Sequence, residues 1–131
     1  MITEPRRTTL LLVDDEDGLR SIARDILQLH GYRVFDAASG ARGLEIYRQF
    51  PGQIDVVVLD LAMPDMDGRE TYERLLAMDP GVKVILASGY AAGRDAVELL
   101  NRGVRAFIEK PYRIEELNAT IERVAAGGRT P

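Results

Sequence analysis

The residues of this chain best suited to chemistry all stand where a short aliphatic run ends. Asp14 and Asp15 follow Leu10 to Val13, Asp60 follows Val56 to Leu59, Ser88 follows Val84 to Ala87, and Lys110 comes just after Ala106 to Ile108. Carboxylates crowded together repel one another and raise each other's pKa unless a cation sits among them. With no cysteine in the chain and a single histidine, His30, placed elsewhere, an all-oxygen donor set favours Mg²⁺ over zinc. A lysine supplies a second positive charge for an incoming anion, and a hydroxyl can bond one of its oxygens. Carboxylate nucleophile, divalent cation, lysine and hydroxyl together are the parts needed to transfer a phosphoryl group to an aspartate. That chemistry requires in-line attack and charge neutralisation, and it makes no demand for histidine.

These groups can meet only if the elements carrying them converge. Within Ile54 to Asp60, the run Val56 to Leu59 reads as a strand buried on both faces that stops on Asp60, and Met63-Pro64 blocks smooth continuation into a helix. Thr9 to Val13 reads as the first strand. It is followed by a helix with Leu19, Ile22, Ala23, Ile26 and Leu27 along one apolar face, closed at His30-Gly31. Tyr32 to Ala37 is the second strand, and Ser39 caps a helix carrying Leu44, Ile46 and Tyr47 that ends before Pro51-Gly52. A third helix runs from about Gly68 to Ala77, with Tyr72, Leu75 and Leu76 inward, and stops at Asp79-Pro80-Gly81. Val82 to Ala87 is the fourth strand, Gly93 to Asn101 a weaker helix, and Ala106 to Ile108 the fifth strand. The last helix places Ile114, Leu117, Ile121 and Val124 on one face. Strands alternating with helices predict an α/β domain whose parallel sheet is joined by right-handed crossovers. The flavodoxin-like (βα)5 order 2-1-3-4-5 puts the first and third strands side by side at the switch point. Asp14, Asp15 and Asp60 then share one rim, with Ser88 and Lys110 delivered to it by the fourth and fifth strands.

Composition narrows the partners. The chain of 131 residues is one domain's worth, and it carries a formal charge of −4, which argues against direct binding to nucleic acid. It has no stretch approaching the ~18 apolar residues of a membrane span and no apolar segment resembling a secretory signal, so a cytoplasmic location is expected. Residues 1–8 and 127–131 read as flexible tails around a domain at 9–126.

Asp14-Asp15, Asp60-Leu61-Ala62-Met63-Pro64 with Asp67-Gly68, Ser88-Gly89 and Lys110-Pro111 resemble the receiver domain of two-component response regulators. The likeness extends to chemotaxis-type single-domain regulators and, through Ser88-Gly89-Tyr90, to receivers carried by hybrid histidine kinases. The resemblance implies Asp60 as phosphoacceptor. It also implies Mg²⁺ (with Mn²⁺ able to substitute) held directly by Asp15, through water by Asp14, and by Asp60 and the backbone carbonyl of Ala62. Lys110 would pair with the phosphoryl group, Ser88 would swing to bond it, Phe107 would be the switch aromatic, and the Lys110-Pro111 bond would be cis. The donor would be a histidine kinase or histidine phosphotransfer protein. The resemblance further implies a switch rather than an enzyme, monomeric or dimerising on phosphorylation. Whether the domain stands alone, and what its output is, the sequence leaves open. Ala62 offers no polar side chain to a hydrolytic water and Tyr90 could cover the phosphoryl group, so a long-lived aspartyl phosphate is expected.

Simpler readings exist for each part. Asp14-Asp15-Glu16 could serve only to favour the start of the first helix, Asp65-Met66-Asp67-Gly68 reads as a turn and helix cap, and Phe107 could be plain core. A phosphatase with an aspartate nucleophile of the haloacid-dehalogenase type would need a second aspartate at Ala62. A degenerate receiver acting purely as an interaction module would not keep the full acidic set.

Overall fold

Aliphatic runs of four or five residues, too short for a helix, become the central strands of a single sheet. The computed structural model describes residues 7–64, 66–89 and 93–127. In chain order the elements are β1 (Thr9–Val13), α1 (Asp17–Leu29), β2 (Arg33–Ala37), α2 (Gly40–Gln49), β3 (Val56–Asp60), α3 (Gly68–Met78), β4 (Val84–Ser88), α4 (Gly93–Asn101), β5 (Ala106–Glu109) and α5 (Ile114–Ala125). All pairings are parallel, in the order β2-β1-β3-β4-β5. This is the expected flavodoxin-like sheet.

Side chains alternate across each strand, so the sheet divides the core into two layers. Leu11, Val13, Val57, Leu59, Val84 and Leu86 pack with Leu44, Tyr72, Leu75 and Leu99 from α2, α3 and α4. Leu10, Leu12, Val56, Val58, Ile85 and Ala87 pack with Ala23, Leu27, Leu117, Ile121 and Val124 from α1 and α5. The three central strands β1, β3 and β4 are buried at every position, which explains their unbroken aliphatic sequences.

Several boundaries differ from the sequence reading for identifiable reasons. Tyr32 lies in the connection between α1 and β2, not in the strand: Gly31 takes φ +97°, and the Tyr32 N–H donates back to the Leu27 carbonyl. β4 starts at Val84 rather than Val82 and reaches Ser88, because the Val82 N–H is held by the Asp79 carbonyl in the preceding turn. The single apolar face expected of α1 is only partly used. Ala23 and Leu27 are buried, whereas Leu19 and Ile22 are 37% and 60% exposed. At ~100° per residue Ile22 lies about 140° round the helix from Leu27, a wider arc than one sheet face covers.

The helix caps follow the sequence. Ser39 accepts from the Arg42 N–H, and Asp67 accepts from the Glu70 N–H at 2.9 Å. At the edge of the molecule opposite the acidic rim, the Tyr47 hydroxyl donates to Asp79 at 2.7 Å and ties α2 to the end of α3. Burial and this carboxylate together hold the Tyr47 phenol well above its ordinary value of 10.0. A raised folded-state pKa means the bond contributes fully below the unfolded tyrosine's pKa and fades as pH rises through the folded one. Tyr47→Phe is expected to cost about 1 kcal/mol at neutral pH and to flatten the alkaline fall in stability, read by urea unfolding from pH 7 upward.

Candidate functional site

The carboxyl ends of β1, β3, β4 and β5 meet along one rim of the sheet. By the alternation that sorts the core, Asp14, Asp60 and Lys110 continue the α1/α5 face, while Ser88 and Phe107 continue the face covered by α2, α3 and α4. Asp14 is 3% exposed and Asp60 5%. Carboxylate oxygens of Asp14, Asp15 and Asp60 lie within 4.8 Å of one another.

Lys110 holds the two buried acids together. Its Nζ stands 2.8 Å from Asp14 Oδ2 and 3.2 Å from Asp60 Oδ2, with Glu16 farther out at 3.9 Å. The Lys110-Pro111 peptide is cis, and the Lys110 N–H donates to the Ser88 carbonyl at 2.7 Å, fastening β5 to the tip of β4. Burial pushes the Asp60 carboxyl above the usual carboxylate range, an effect that Lys110 offsets only in part. Burial alone would lower Lys110, yet its bonds to Asp14 and Asp60 leave it above its ordinary value. Burial likewise raises the nearby Tyr112 phenol. One lysine therefore faces two buried acids and a third at the rim, an uneven balance that a divalent cation would correct. The donors are all carboxylate oxygens, at a spacing one ion can bridge, and this set fits Mg²⁺.

The backbone below Asp60 is set by close packing. The Gly68 N–H donates to the Leu61 carbonyl at 2.9 Å. A Cβ at Gly68 would fall 2.5 Å from the Asp60 carbonyl oxygen and 2.6 Å from Leu61 Cα, so only glycine lets α3 start there. The Ala62 N–H donates to Asp60 Oδ1 at 3.2 Å, turning the loop back over the carboxylate, and Ala62 itself is exposed. Beside it opens a cleft of about 490 Å³ whose lining includes Ala62, Met63, Arg69, Ser88 and Asp95. Ser88 is buried at 5% exposure. Phe107 is half-buried, packed against the core under α2, α3 and α4. Tyr90 lies outside the described residues. His30 sits exposed at the end of α1 with Nδ1 2.9 Å from the Ile26 carbonyl, far along the chain from every acidic residue of the rim.

Sequence reasoning missed Arg20, Asp36 and Arg69. Arg20 contacts the Asp14 carbonyl and Asp36, and Arg69 reaches from α3 to Glu98 of α4 at 2.5 Å. Arg20 had a readable signal, an arginine three residues after Asp17 in the helix following the acidic pair. Arg69–Glu98 joins separate helices and had none. Lys110→Met is expected to destabilise the metal-free protein by roughly 3–5 kcal/mol, measured by urea unfolding in EDTA at neutral pH. Mg²⁺ should return part of that loss, and acid should shrink it as the carboxylates protonate.

A family described as the response regulator receiver domain matches residues 10–122. The chain is 39% identical over 116 residues to the sensor kinase CckA of Brucella abortus, covering 88% of itself but only 12% of that protein. It is 32% identical over 117 residues to the chemotaxis protein CheY of Listeria monocytogenes, covering 88% of itself and 97% of CheY. Among solved structures, a CheY-like response regulator receiver domain protein from Methanospirillum hungatei superposes with a TM-score of 0.86 at 30% identity, over 93% of this chain and 96% of that one.

Proposed function

Since this chain belongs to the response regulator receiver domains, we propose that it takes a phosphoryl group from a partner's phosphohistidine onto Asp60 and relays that event by a change of shape. The observation that carries the assignment is the pairing of a buried Asp60 with Lys110 at 3.2 Å beside two further carboxylates. A histidine kinase or histidine phosphotransfer protein is the donor. The domain at 9–126 is the working unit, and it acts as a switch and not as an enzyme with a released product.

An Asp60 carboxylate oxygen attacks phosphorus, the phosphorus–nitrogen bond breaks, and the electron pair returns to the donor imidazole, which takes up a proton. Desolvation makes the Asp60 carboxylate a better nucleophile than a hydrated one, and Lys110 neutralises charge on the transferring oxygens. Asp14, Asp15, Asp60 and the Ala62 carbonyl would hold Mg²⁺, which when bound supplies further neutralisation of the phosphoryl oxygens. Ser88, at the tip of β4, donates its hydroxyl to the new dianion. Its movement frees space on the α4 side of the sheet, which Phe107 fills. A shift from 1:99 to 99:1 between two states takes ~5.5 kcal/mol, within reach of a few charge-assisted hydrogen bonds.

Phosphorylation by acetyl phosphate with Mg²⁺, followed by intact mass, tests the assignment directly. One phosphoryl group gained by wild type and none by Asp60→Asn is the expected result; uptake that persists in Asp60→Asn would overturn it. Exposed Ala62 gives a hydrolytic water no polar partner, so the aspartyl phosphate is expected to be long-lived. Ala62→Asn should shorten its lifetime several-fold, followed by loss of the phosphorylated mass after donor removal.

A further inference from the structure

A second charged cluster adjoins the acidic rim and takes no part in the phosphoryl chemistry above. At its centre is Arg20, in the first turns of α1, with a side chain only 12% exposed. Its Nη1 donates to the Asp14 carbonyl at 2.7 Å, its Nε donates to Asp36 Oδ2 at 2.9 Å, and its Nη2 lies 2.8 Å from Asp17 Oδ1. Asp36 also receives Arg24 Nη1 at 3.5 Å.

The guanidinium is a rigid planar fork, so contacts in different directions fix the relative placement of the groups they reach. Here those groups are the end of β1, the end of β2 and the start of α1. The Asp14 carbonyl belongs to the peptide that joins Asp14 to Asp15. Its plane therefore governs where the two carboxylates point. Two more bonds complete the frame: the Asp14 N–H donates to the Ala37 carbonyl at 3.1 Å, and Asp14 Oδ1 accepts from the Glu16 N–H at 2.9 Å. Asp36 sits opposite Leu12 in the sheet register and thus braces Arg20 against a strand that is itself anchored.

We infer that Arg20 is a positioning residue of the acidic rim: held by Asp36 and Asp17, it sets the Asp14–Asp15 peptide so that both carboxylates face a divalent cation. The role rests on reading the rim as the cation site of the phosphoryl switch. Arg20 touches neither the phosphoryl group nor its donor. A lysine at the same position would reach one of its acceptors but not span three.

The test compares Mg²⁺ binding to the full chain by titration calorimetry with phosphoryl uptake from acetyl phosphate. Outer partners of metal ligands affect affinity by 10–100-fold, so Arg20→Met is expected to weaken Mg²⁺ binding by roughly ten-fold or more. Uptake at saturating Mg²⁺ should stay near wild type, because Asp60 and Lys110 are intact. Arg20→Lys should recover affinity in part. Arg102→Met, which removes an ion pair from the residue after α4 to Glu73 of α3, should leave Mg²⁺ binding unchanged. Should Arg20→Met fail to fold, Asp36→Asn keeps the arginine and its bulk while loosening its brace, and it too should weaken Mg²⁺ binding. Unchanged Mg²⁺ affinity in a folded Arg20→Met or Asp36→Asn, or equal weakening by Arg102→Met, overturns the role of Arg20 alone. A wild-type chain that neither binds Mg²⁺ nor gains a phosphoryl group overturns the reading of the rim as a whole.

Discussion

Everything at the working end of this molecule depends on one ammonium group shared by two buried carboxylates. Lys110 lies on the far side of the sheet order from β1, yet its Nζ reaches Asp14 as well as Asp60. Burying one such acid without a partner would be costly, and burying two side by side would be more so. The lysine makes the arrangement tolerable without neutralising it. The rim keeps residual negative charge, and burial keeps the Asp60 carboxyl above the usual carboxylate range. The fold supplies the framework by bringing the carboxyl ends of four strands to a common rim, where a parallel sheet leaves its last backbone groups open to ligands.

The alternation of strand residues then separates two tasks. Asp14, Asp60 and Lys110 continue the face packed by α1 and α5, whereas Ser88 and Phe107 continue the face packed by α2, α3 and α4. The acid–lysine centre and the groups proposed to respond to it thus sit on opposite sides of a sheet one strand thick. Ser88 belongs to β4, whose tip is fastened to Lys110 through the Ser88 carbonyl. A change at the lysine has a backbone route to the serine.

Much of this was readable in the sequence, because the central strands are aliphatic runs followed by polar residues and α2 and α3 begin behind the capping residues Ser39 and Asp67. Asp60 and Lys110 were both recognisable from that punctuation, and the flavodoxin-like strand order brought them together. Length of stripe misled for α1: Leu19 and Ile22 fit the helical period, but a helix resting on one sheet face has no use for so wide an apolar arc. The strand edges at Tyr32 and Val82 misled because hydrogen bonds to the preceding helix or turn outweighed β propensity. The guanidinium contacts of Arg20 with Asp14 and Asp36 join residues whose relation exists only once β1, β2 and α1 are assembled. No period or motif encodes such a relation.

Gly68 gives the rim a mechanical asymmetry. The missing side chain lets the first residue of α3 lie directly on the backbone of Asp60 and Leu61. Asp60 and the helix after it therefore form a single solid piece, with no compliant layer between them. Any movement that begins at Asp60 meets an anvil on that side. Displacement falls instead to β4 and β5, the strands that carry the buried Ser88 hydroxyl and the half-buried Phe107 ring.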